Sequence, residues 1–372
     1  MTSAAHDTAR YAPPVRYTPD VERPQPDEGE TIGKLEEQFQ HILDTTSESY
    51  GHAVRAVHAK AHGIARGTFT VAPGLPAELA QGLFAKPGTF EAILRISTNA
   101  GDILDDSISL PRGLALKLLG VDGERLPGSE GETTQDFVLV NGPVFAAKDA
   151  KAFLGNLSLL SKTTDKVEGL KKALSGVLHA TSAALGAVGI ESATINQLGG
   201  APQVHPMGAT YYSQTPFRFG DYIVKWALKP VSAALTGLTD ETIAIHGRPD
   251  AIREDVNRDM VEHGGTWEFQ VQFNTDLDAM PVEDPTVVWD EEASPFRTVA
   301  TLVVEPQAAW VRGVTDKTDD ALAYNIWHGL AAHRPLGGIN RARNETYRKS
   351  SAFRGNYNGC PMHEPATLAE VA

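Results

Sequence analysis

Cysteine is nearly absent: the 372-residue chain carries one, Cys360. A single thiol excludes an internal disulfide framework and any multi-thiolate zinc or iron–sulfur site, and it suits a reducing, cytoplasmic setting. Basic charge is short as well. Lys and Arg number 33 against 47 Asp and Glu, a net charge of −14, which argues against a general nucleic-acid binder or a tether to anionic membrane. No apolar run is long enough to span a bilayer; the least polar stretch, residues 174–190, is too short and too rich in small residues. The opening residues lack the apolar core of a secretory signal. Internal repeats are absent, and Gly337–Gly338 follows a helical pattern rather than a strand, the wrong context for a dinucleotide loop. Disorder throughout is excluded too, because 41% apolar residues and 34 glycines make a globular composition.

The length admits about two to three domains of roughly 150 residues, or one large β-rich unit. Residues 1–30 are rich in Pro, Asp and Glu and read as an extended arm. Residues 31–47 put Ile32, Leu35, Phe39, Ile42 and Leu43 on one helical stripe. Between 65 and 145, short β-like runs alternate with Gly/Pro turns. Residues 146–200 return to a helical texture, and from residue 209 the β pattern resumes, interrupted by a helix over 250–263. Residues 319–347 read as two helical segments joined at 334–338, and 360–372 as a loose tail. Strands, a helical insertion, more strands and terminal helices predict an α+β fold on a large antiparallel β-barrel. The expected division is an arm and helix over 1–48, a barrel domain over 49–359, and a tail.

Three clusters carry chemistry. Arg55 to Gly63 reads RAVHAKAHG, with His58 and His62 four apart; on a helix such a pair binds metal, yet no carboxylate accompanies it, and a surface basic turn fits as well. Arg343 and Tyr347 are also four apart, which places them on one face of a helix. A guanidinium beside a phenol stabilises the phenolate, a hard anionic ligand for ferric iron; an Arg packed on an exposed Tyr is the plain alternative. The third cluster joins Arg95-Ile-Ser-Thr98, Pro111-Arg-Gly113 and a strand from Asp136 ending in Asn141-Gly-Pro143-Val-Phe145. Asn141 there serves either as a turn former or as a donor into a pocket.

Taken together and in this order, the clusters resemble the catalase superfamily, in its compact catalase-like haem peroxidase branch. Arg55-Ala-Val-His58-Ala-Lys60 matches the family's Arg-x-x-His-Ala-Lys; Arg95-Ile-Ser-Thr98 and Pro111-Arg-Gly-Leu-Ala-Leu-Lys117 match the next two motifs. Trp267 to Gln272 resembles a later barrel strand, and Arg343-x-x-x-Tyr347 the proximal signature, with Arg354 seven residues beyond. The resemblance implies a haem-binding catalase barrel core with haem b as cofactor. It makes Tyr347 the axial ligand of the iron with Arg343 beside it, and sets Arg55, Arg95 and Arg354 at the propionates. It also makes His58 the acid–base group and Asn141 the amide that orients peroxide.

The implied activity is a peroxidase that reduces H2O2 or organic hydroperoxides with a small organic reductant and retains some catalase activity. Two alternatives stay open: a haem enzyme that rearranges lipid hydroperoxides in the manner of allene oxide synthase, and a non-enzymatic haem-binding protein. Val57 before His58, rather than Thr, tilts against rearrangement. A thiolate ligand through Cys360 is a further rival. Three departures stand out. Only one Asn remains where large catalases keep two, and ungapped it aligns with the second; Ala146 replaces an aromatic; and no C-terminal flavodoxin-like domain follows. The assembly, homo-oligomer included, is left open.

Overall fold

The computed structural model describes residues 11–164, 200–360, 362 and 364–371; the second half of the helical insertion expected at 146–200 lies outside them. In chain order the elements are α1 (Glu28–Tyr50), β1 (Ala61–Val71), β2 (Thr89–Thr98), β3 (Arg112–Leu118), β4 (Gln135–Val140), α2 (Ala150–Thr164), β5 (Tyr211–Tyr212), β6 (Phe217–Phe219) and β7 (Tyr222–Pro230). There follow α3 (Ala233–Thr236), α4 (Ala251–His263), β8 (Gly265–Phe273), β9 (Arg297–Val304), α5 (Thr315–Ala321) and α6 (Gly338–Asn358).

Among the described residues nine strands join one antiparallel sheet in the order β5-β4-β3-β2-β1-β9-β8-β7-β6, and a pairing of β5 with β7 closes eight of them into a barrel. Closure leaves no long unpaired edge. The interior is aromatic. Phe137 on β4 meets Phe269 on β8 with ring centroids 4.7 Å apart, and Trp226 on β7 at 5.4 Å. These strands are not neighbours in the sheet, so the rings meet across the barrel. Strand alternation then turns Val138 and Val140 to the outer face, and the register carries Ala115 and Gly113 of β3 and Arg95 and Ser97 of β2 with them. That outer face of β2–β3–β4 is where the site lies.

Helix α1 buries Leu35, Phe39, Ile42 and Leu43, the stripe read from the sequence, against α2 and α6. Helix α6 is fixed at its start by Arg341, whose guanidinium meets Glu28, Glu22 and Glu283 at 2.6, 2.7 and 2.9 Å. Arg341 therefore ties α6 to the arm and to α1 instead of entering the site.

Three expectations need correction. The pair His58 and His62 is not on a helix: His62 belongs to β1, where Ala61 and Gly63 pair with Ser97 and Ile96 of β2 and His62 is the extra residue at a shift of register between them. Nor is the cluster a surface turn, since Lys60 is buried on Asp106 at 2.8 Å. The tail is not loose. Glu364 pairs with the buried Lys117 at 2.5 Å and with His328 at 3.1 Å, and Arg66 donates to the Val371 carbonyl at 2.8 Å. The C-terminal helix also runs on to Asn358, well past Tyr347.

Candidate functional site

Two adjoining cavities, with about 670 and 650 Å³ of atom-free space, lie between the outer face of β2–β4 and the helices α1 and α6. Phe39, Val57, His58, Thr346 and Tyr347 line both, so the two are halves of one cleft. Its walls are otherwise largely apolar, with Leu114, Ala115 and Val138 in one half and Val140, Phe145 and Phe153 in the other. The aromatic missing at Ala146 is made up from α2: Phe153 packs on Phe145 with centroids 5.2 Å apart.

His58 is held in an unusual backbone state, φ +54°, which a non-glycine residue adopts at a cost of about 1–3 kcal/mol. Two bonds impose it. The His58 N–H donates to the Asn99 carbonyl at 3.1 Å, and Arg95 Nη2 donates to the His58 carbonyl at 3.0 Å. The ring lies over Gly113, where an added Cβ would fall 2.4 Å from His58 Nδ1 and Cε1. Glycine is required there by close approach. Ser97 Oγ sits 3.1 Å from Nδ1 and 3.5 Å from the Gly113 carbonyl. With the hydroxyl directed to that carbonyl, its oxygen accepts from Nδ1–H and leaves the lone pair on Nε2. Burial, with the charges of Arg95, Arg343 and Arg55 behind it, pushes the His58 pKa down to about 3, so the imidazole is neutral at ordinary pH.

On α6, Arg343, Tyr347, Ser350, Ser351 and Arg354 share the face turned to the cleft. Arg343 Nε and Nη2 both donate to the Tyr347 phenol oxygen, at 3.1 and 3.0 Å. The pairing expected from the four-residue spacing is present.

At the other end of the cleft Arg55, Arg95 and Arg354 converge. Arg55 Nη1 and Arg95 Nε share Asp319 Oδ1, each at 2.7 Å. Burial opposes the charge of Asp319, but those two guanidiniums outweigh it and hold the carboxyl well below its usual range. Among the described residues Arg354 reaches the Asp320 and Leu322 carbonyls and the Met362 sulfur, and burial brings its pKa down to about 9. Asp320 itself turns to His52 at 3.0 Å. Among the described residues three guanidiniums thus face Asp319, with Asp320 a second carboxylate acting on Arg354, and positive charge is left in excess. Arg354 Nε and the Tyr324 hydroxyl, both at this cavity, are buried without a hydrogen-bond partner among the described residues. Excess positive charge and two orphaned donors are what a ligand with carboxylates would satisfy.

Asn141 stands apart. It lines neither half of the cleft, and its amide oxygen accepts from the Arg112 N–H at 2.7 Å. His62 also turns away, its Nε2 2.7 Å from Thr98 Oγ1 on the other face of β2. Cys360 lines a different cavity, beside His52 and Asp320. Asp319, Tyr324, Phe39 and Phe153 were not singled out by sequence. Asp319 and Tyr324 sit in no motif, Phe39 reads as part of a helical stripe, and Phe153 falls in a stretch read only as helical in texture.

Similar folds are known. A fungal catalase aligns with a TM-score of 0.57 and 18% identity, over 86% of this chain and 63% of its own. Catalase A from Saccharomyces cerevisiae gives 0.58 and 19%, over 85% and 65%. A bacterial catalase gives 0.58 and 17%, over 88% and 63%. The chain spans a little under two thirds of the length of these structures. No curated protein matches it by sequence. The sequence model of the catalase family matches residues 52–309, from just before Arg55 to the end of the barrel, and so the chain belongs to the catalase family.

Proposed function

We propose that the chain is a haem b-dependent peroxidase that reduces H2O2 or organic hydroperoxides, with residual catalase activity. The observation that carries this reading is one cleft lined by both the strained, neutral His58 and the Arg343-bound phenol of Tyr347. Tyr347 would hold the iron through its phenol oxygen, and Arg55, Arg95 and Arg354 the propionates; the excess positive charge and the two orphaned donors support that placement. Catalase is a standard case of Tyr-ligated haem.

Bound there, haem supplies the redox chemistry that breaks a peroxide O–O bond. The chain's own groups govern protons and access. Nε2 of His58 takes the peroxide proton and returns it to the departing oxygen, which requires the neutral ring that burial maintains. Ser97 holds the tautomer through Nδ1 and Gly113 leaves room for the ring. Phe145, Phe153 and Val140 keep the adjoining wall dry. A base oriented at the cost of backbone strain favours an enzyme over a haem carrier. Val57 at the cleft supports peroxide reduction over rearrangement. The single cysteine suits a cytoplasmic enzyme, and among the described residues no helix is long and apolar enough to cross a membrane.

The test sets two assays on the haem-loaded chain side by side. Peroxide-dependent oxidation of a phenolic dye should be sustained, and oxygen release from H2O2 alone should be the slower reaction. Rapid oxygen release without dye oxidation would instead make it a catalase in activity as well as family.

A further inference from the structure

The register of three strands decides which amide faces the peroxide. Ser97, Gly113 and Val140 are cross-strand partners on β2, β3 and β4, and all three point to the cleft beneath the His58 ring. One residue further along each strand the side chains turn to the other face. Thr98 and Arg112 meet there, Arg112 Nη1 donating to Thr98 Oγ1 at 2.9 Å. Asn141 follows Val140 and so falls in that second row. Its N–H donates to the Arg112 carbonyl at 3.0 Å while its Oδ1 accepts the Arg112 N–H. Both bonds fasten the end of β4 to β3. They leave Val140, not Asn141, on the cleft wall.

Two residues on from Ser97, just past the end of β2, the chain bends at Asn99, whose N–H donates to the Pro111 carbonyl at 3.0 Å. The Asn99 carbonyl receives the His58 N–H, so the residue is tied directly to the base. Asn99 lines the same half of the cleft as His58, Val140 and Phe145. Gln214 lies on the same wall, and its Nε2 donates to the Gly142 and Val144 carbonyls at 3.1 and 2.6 Å.

We propose that Asn99 supplies the amide that orients a hydroperoxide beside His58, and that Asn141 is a scaffold residue of the barrel end. A carboxamide N–H there donates to a peroxide oxygen and holds its proton toward Nε2. This deepens the haem peroxidase reading and rests on it.

The experiment uses cyanide as an anionic probe of the same face, titrated optically into the haem-loaded chain. A hydrogen bond to an anion is worth at least about tenfold in affinity. Asn99→Val should therefore raise the cyanide dissociation constant at least about tenfold, lower kcat/KM for H2O2 by a similar factor, and leave haem content unchanged. Asn99→Asp, which keeps the shape and loses the donor, should weaken cyanide as much or more, and guards against a packing effect of Val. Asn141→Ala should lower thermal stability while the cyanide constant stays within about twofold. If Asn141→Ala weakens cyanide and the Asn99 variants do not, or if none of the three does, the assignment falls while the haem reading stands. A wild-type chain that takes up no haem overturns both.

Discussion

Tyr347→Phe folds but fails to retain haem: the expected loss of affinity exceeds about a hundredfold, beyond what removal of an outer-shell partner costs. Phenylalanine keeps the ring's packing on α6 and deletes only the oxygen that Arg343 Nε and Nη2 hold at the cleft. The cofactor would then rest on the arginine end alone. Haem content after purification and the thermal transition of the apo-chain separate the two effects. Cys360→Ser should leave haem content as it was, because Cys360 borders another cavity. Unchanged haem in Tyr347→Phe, with loss in Cys360→Ser, would move the ligand to the thiol.

His58→Ala has the second large effect. Haem should remain bound, since on the proposed reading Tyr347 and the three arginines would hold it, while the peroxide step slows by about 10²–10⁴-fold, the usual worth of a positioned acid–base group. The pH profile adds a signature. With its pKa held down to about 3, the ring stays neutral as the pH falls, so the wild-type rate should be flat from neutrality to about pH 4. An ordinary imidazole would lose activity below about 6.5. His62 is the control. It is fully buried and bonded to Thr98 on the far side of β2, so His62→Ala should lower stability and spare the chemistry. Stopped-flow mixing with H2O2 reads both variants. Slow reaction in His62→Ala and normal reaction in His58→Ala would place the base one position out.

Much of this site is legible in the sequence. Spacing alone put Arg343 beside Tyr347, because helical geometry brings residues four apart together whatever surrounds them. Motif order gathered Arg55, His58, Arg95, Tyr347 and Arg354 at one cavity. The strands between 65 and 145 followed from short β-like runs broken by Gly/Pro turns, and the stripe of α1 from a period of 3.6. What escaped depends on tertiary pairing. Whether Asn141 or Val140 meets the cleft is set by the register of β3 against β4, which a shift of one residue would reverse. Asp319 on α5 and Tyr324 just after it belong to no recognisable motif, and only the fold carries them to the arginines. His62 was read with His58 because they are close in sequence, yet a strand sends its side chain into the barrel end. The tail is docked by Glu364, a single carboxylate whose partner Lys117 is far away in sequence.

The measurement closest to the central claim is a haem titration of the purified apo-chain, followed by absorption and by pyridine haemochrome. The account predicts one haem b per chain with a ferric, tyrosine-ligated spectrum that Tyr347→Phe abolishes. A chain that binds no haem when iron and haem are ample, or one whose ferric spectrum is indifferent to Tyr347, would contradict it.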